Sequence, residues 1–127
     1  MVPAVLIVDD DRDLREAIAD AVSDSGRLVF AARDGGAALQ LLDDPKIPRP
    51  CLILLDWLMT PMDGRAFLEQ LKARADFDRL PILIMSANGT LAPSTPLPGV
   101  IGTLHKPFEL EELLRILDAH CPPSPDR

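Results

Sequence analysis

Four short, largely apolar runs in this chain each lead into residues able to do chemistry. Val5 to Val8 runs into Asp9, Asp10 and Asp11, Cys51 to Leu55 into Asp56, Ile82 to Met85 into Ser86, and Val100 to Leu104 into His105 and Lys106. Carboxylates drawn together push one another's pKa upward, so Asp9, Asp10 and Asp56 on one rim would require a positive charge between them. A hard divalent cation fits, because Mg2+ takes one or two carboxylates, keeps several waters and accepts phosphate oxygens. Lys106 offers a second, mobile positive charge, and Ser86 a hydroxyl for a phosphoryl oxygen. The chemistry that uses this set is phosphoryl transfer to a carboxylate, in which the protein positions groups and neutralises charge. Asp56 is the best nucleophile, since it stands alone after five apolar residues.

Those residues share a rim only if the runs are neighbouring parallel strands. The first strand reads as Ala4 to Val8, continuous Val, Leu and Ile of the kind buried on both faces of a parallel sheet. Leu14, Ala17, Ile18, Ala21 and Val22 then follow the spacing of one helical face, with Gly26 as a stop. Arg27 to Ala31 reads as the second strand and Gly36 to Leu42 as the second helix, with Leu52 to Leu55 at the sheet centre. A third helix spans Arg65 to Ala75, a fourth strand Ile82 to Met85, a fifth Val100 to Leu104, and a last helix Glu109 to His120. Strands alternating with helices give an open, doubly wound α/β sheet, whose ligand site lies beyond the carboxyl ends of the strands.

At 127 residues with 47% hydrophobic and 26% charged residues, the chain supports one domain with a core and excludes wholesale disorder. No apolar run approaches the roughly 20 residues that cross a bilayer, and Met1 to Val8 lacks the basic start of a signal peptide. A cytoplasmic location is therefore expected. A net charge of -7 opposes direct binding to nucleic acid. Cys51 and Cys121 lie in no CxxC or Cys/His cluster, and both read as free thiols in a reducing compartment. A P-loop enzyme is excluded by the absence of GxxxxGK[ST].

In order and spacing, VLIVDDD (Val5 to Asp11), LILLDWLMTPMDG (Leu52 to Gly64), PILIMSA (Pro81 to Ala87) and HKPF (His105 to Phe108) resemble the receiver domain of two-component response regulators. The resemblance implies a flavodoxin-like (βα)5 sheet in strand order 2-1-3-4-5, a receiver over residues 1–121 and a proline-rich tail over 122–127. It implies that Asp56 is the phosphoacceptor, with Mg2+ held directly by Asp10 and Asp56, by Asp9 mainly through water, and by the backbone carbonyl of Leu58. Ser86 becomes the switch hydroxyl and Lys106, before a cis peptide to Pro107, the phosphate-pairing lysine. The phosphodonor would be a histidine kinase or histidine phosphotransfer protein, and output would run through an unidentified downstream protein or a homodimer. The protein would be a signalling switch and not an enzyme, with at most weak self-dephosphorylation, because Leu58 cannot hydrogen-bond an attacking water. With only a short tail after the last helix, a stand-alone regulator is expected.

Three departures from the family pattern stand out. Thr60 and Pro61 displace by one the proline usual four residues after the phosphoacceptor, and Thr103 occupies the place of the switch aromatic. Between Ser86 and Lys106, where the family has its fourth helix, stand Gly89, Pro93, Pro96, Pro98 and Gly99. Each interior proline costs a helix about 3 kcal/mol, so that helix is expected to be absent or degraded. The alternative reading is a phosphorylation-independent binding module that docks partners on this altered face. A phosphohydrolase with an aspartate nucleophile would need a second acid two residues on, where Leu58 stands.

Several residues have blander readings. Asp11 suits a helix N-cap, Trp57 packing, Glu109 to Glu112 a helix start, and His105 and His120 structural or solvated positions.

Overall fold

A computed structural model describes residues 2–87 and 97–123. The elements in chain order are β1 (Ala4–Val8), α1 (Arg12–Asp24), β2 (Leu28–Ala32), α2 (Gly35–Asp43), β3 (Leu52–Asp56), α3 (Gly64–Lys72), a 3-10 turn (Phe77–Arg79), β4 (Ile82–Ala87), β5 (Val100–Lys106) and α4 (Leu110–His120). The strands form one sheet in order β2-β1-β3-β4-β5 with every pairing parallel. This is the flavodoxin-like arrangement expected. The expectation of a missing helix in the proline-rich window falls on residues 88–96, outside the described residues. Leu97, at the edge of that window, packs against the core.

The sheet divides the core in two. Alternation along each strand sends Leu6, Val8, Ile53 and Leu55 to the face covered by α2 and α3, and Val5, Ile7, Leu52 and Leu54 to the face covered by α1 and α4. β1 and β3 are buried along their whole length, as central parallel strands must be. Asp11, Asp34 and Asp63 cap α1, α2 and α3, their carboxylates accepting from Leu14, Ala37 and Ala66 N–H. Gly26, at φ 96°, makes the left-handed turn that releases the chain from α1 into β2.

Gly64 is needed for close approach. A Cβ built there would lie 2.8 Å from Trp57 Cα and Cε3 and 2.9 Å from its carbonyl oxygen, which accepts from Gly64 N–H at 3.0 Å. Gly64→Ala is expected to lower the unfolding free energy by about 1–3 kcal/mol in urea titration, by prising α3 from the loop that follows Asp56.

The cysteines are a correction. Far from being separate thiols, Cys51 and Cys121 meet sulfur to sulfur in a disulfide with Cα atoms 5.7 Å apart across 70 residues of sequence. Cys51 precedes β3 and Cys121 caps α4, so the fold brings together two residues that no local pattern connects.

Candidate functional site

Asp9 and Asp56 reach the carboxyl end of the sheet because β1 and β3 are adjacent and in register, Val8 opposite Leu55. Asp9 is 0% exposed and Asp56 5% exposed, an unusual depth for two carboxylates. Asp10 beside them is exposed. One oxygen from each of Asp9, Asp10 and Asp56 lies within 4.8 Å of the other two. The three residues singled out from sequence thus converge, and an all-oxygen set of this charge suits a hard divalent cation.

The local backbone orients these groups. Asp9 Oδ1 accepts from Asp11 N–H at 2.8 Å, and the Asp9 carbonyl accepts from Arg15 Nη1 at 2.8 Å. Asp56 Oδ1 accepts from Leu58 N–H at 3.3 Å. The Leu58 side chain projects into solvent, 67% exposed, and places nothing polar beside Asp56.

Lys106, at the end of β5, spans the sheet to both buried acids, its Nζ 2.9 Å from Asp9 Oδ2 and 3.4 Å from Asp56 Oδ1. Burial by itself lowers the Lys106 pKa. The hydrogen bond to Asp9 and the attraction of Asp9 and Asp56 outweigh it and raise the value above that of a free lysine. Asp56 is pushed from 3.8 to about 6, first by burial and then by the charge of Asp9, with Lys106 and the Leu58 N–H pulling the other way. A carboxylate so placed is short of positive charge, which is the electrostatic condition a bound cation relieves.

Ser86 is 1% exposed and sits in β4 opposite His105 of β5. Its Oγ lies 3.4 Å from His105 Nδ1. His105, set aside in the sequence as structural, is therefore the neighbour of the hydroxyl at this rim. The Lys106–Pro107 peptide is cis, and so is Thr60–Pro61 in the loop where the proline is displaced by one.

Trp57 packs in the core at 6% exposed, and the guanidinium carbon of Arg65 stands 5.3 Å from its ring centroid. Asp11, Leu14, Ala87, Lys106, Pro107 and Phe108 line an open, mainly apolar groove of about 490 Å³ beside Lys106. The sequence reading missed this groove because its lining comes from three separate segments. No helix among the described residues is long and apolar enough to cross a membrane.

Comparison with known proteins gives the same picture. Response regulator MprA of Mycolicibacterium vanbaalenii is 38% identical over 112 residues, covering 87% of this chain and 46% of that protein. The chain thus spans about half the length of the curated relatives it matches. Among solved structures, a CheY-like receiver domain protein from Methanospirillum hungatei superposes with TM-score 0.75 at 28% identity, covering 90% of each chain. The Vibrio cholerae chemotaxis protein CheY4 does so with TM-score 0.75 at 28% identity over 94% of this chain and 99% of its own. The defining pattern of the response regulator receiver domain extends over residues 5–118. Receivers of this kind are signalling proteins and not enzymes in the usual sense, and on the pattern, the strand order and the acidic rim together, this chain belongs to the response regulator receiver domain family.

Proposed function

We propose that Asp56 accepts a phosphoryl group from a histidine kinase or a histidine phosphotransfer protein, with Mg2+ held by Asp9, Asp10, Asp56 and the Leu58 carbonyl. The observation that carries this reading is a pair of buried carboxylates, Asp9 and Asp56, bridged by Lys106 and opened to solvent through Asp10. An Asp56 carboxylate oxygen attacks phosphorus as the N–P bond of the donor phosphohistidine breaks. The imidazole leaves and takes up a proton, and an acyl phosphate remains. Bound Mg2+ supplies charge neutralisation to the transferring group. Lys106 shifts from the carboxylates to a phosphoryl oxygen, and Ser86 Oγ turns from His105 Nδ1 to another. The apolar groove beside Lys106 is suited to docking a protein donor, which accords with a cytoplasmic setting.

Addition of nearly two negative charges at Asp56 rearranges β4 and β5 around Ser86 and Lys106, and the changed surface is read by a downstream protein. The test is intact mass after incubation with acetyl phosphate and Mg2+. The wild type is expected to gain one phosphoryl group, a chelator to slow the gain at least tenfold, and Asp56→Ala to show none. No gain in the wild type, or an equal gain in the variant, overturns the reading.

A further inference from the structure

We propose that Cys51 and Cys121 are a thiol–disulfide exchange site, at which Cys51 takes a low-molecular-weight disulfide and Cys121 resolves it. The sulfurs are in bonding contact, and the Cα separation of 5.7 Å is within the range a disulfide spans without backbone movement. The two sulfurs differ in access. Cys121 is 1% exposed, while Cys51 is only partly buried against the same cluster, so reagent enters at Cys51.

Both oxidation states have a satisfied arrangement. Cys51 Sγ is bonded to Cys121 and lies 3.2 Å from the Ala4 carbonyl oxygen, which is the acceptor its thiol would meet on reduction. Cys121 is held in place independently of the bond. The buried guanidinium of Arg27 donates from Nε to the Cys121 carbonyl at 2.7 Å, from Nη1 to Ser25 Oγ at 2.7 Å and from Nη2 to Asp118 Oδ1 at 2.8 Å. Ring closure therefore needs no search by the end of α4.

The exchange balances. The Cys51 thiolate attacks one sulfur of the reagent disulfide and releases one thiol. The Cys121 thiolate then attacks Cys51 Sγ and releases the second. Two electrons and two protons pass from the cysteine pair to the two released thiols, and excess thiol reverses both steps.

The experiment exposes reduced protein to oxidised glutathione, quenches with an alkylating agent and reads intact mass. The wild type is expected to lose two mass units and refuse alkylation, with one cross-linked peptide joining Cys51 to Cys121. Cys121→Ser should stop at a single glutathione adduct on Cys51, and Cys51→Ser should form adduct at least tenfold more slowly. Should serine at Cys121 prevent folding, the adduct formed on wild-type protein at early times is mapped instead and is expected on Cys51. Persistent adducts without ring closure in the wild type, or early adducts mainly on Cys121, would overturn the proposal.

Discussion

Asp56→Asn is expected to raise the unfolding free energy by about 2–3 kcal/mol at pH 7.5 in the presence of a chelator, and Tm by about 10 °C. Burial first, and then the charge of Asp9, disfavour the ionised form of Asp56 by more than Lys106 recovers. With its pKa raised from 3.8 to about 6, native Asp56 holds a proton more tightly than it does in the unfolded chain. Between those values the folded state is the more protonated one, and stability falls as pH rises through the window. Above about 6 the penalty is fully present; below about 3.8 it is gone. The gain from asparagine is therefore expected to be largest near neutral pH and to vanish near pH 3.5. Saturating Mg2+ should shrink it as well, by stabilising the wild type through binding to the folded state alone. Urea titrations of both proteins at three pH values check this. An equal gain at all three would show that the substitution acts through packing and not through charge.

Lys106→Met is expected to act in the opposite direction, lowering stability at pH 7.5 without divalent metal by about 2–4 kcal/mol. The methylene stem is retained, so packing changes little. What is lost is the ammonium 2.9 Å from Asp9 and 3.4 Å from Asp56. Asp9 is fully buried, and removing one partner of a buried pair leaves the other uncompensated. Saturating Mg2+ is expected to recover most of the loss, because it supplies positive charge to the same carboxylates. A neutral effect of Lys106→Met in chelator would mean that the acids find their compensation elsewhere, and an effect untouched by Mg2+ would count against a cation site at Asp9, Asp10 and Asp56.

The chemistry-bearing residues were legible in sequence because each follows an apolar run, and in a parallel sheet such runs end on one rim. Asp9, Asp10, Asp56, Ser86 and Lys106 are all candidates of this kind, and the N-capping reading of Asp11 is realised in its bond to Leu14 N–H. The strand ends were read short for a physical reason. Apolar residues mark where burial stops, but ladder pairing continues past that point, to Ala87 opposite Lys106. Ser86, His105 and Lys106 are therefore held by the sheet itself and not by loops. The pairing of Cys51 with Cys121 is not legible in sequence, because 70 residues separate them, they flank different elements, β3 and α4, and only tertiary packing brings their sulfurs together. Arg27 gave no signal either. Its sequence position marks only the start of a strand, yet its side chain is 1% exposed and ties the start of β2 to the end of α4.

β3 begins one residue after Cys51 and ends at Asp56. At about 3.3 Å per residue, this single straight segment holds Cys51 and Asp56 roughly 17 Å apart, at opposite poles of the sheet. Sites at that distance with no shared partner contribute additively to stability. On the two proposed chemistries the chain would take two inputs, oxidant at one pole and phosphodonor at the other, whose contributions to stability add.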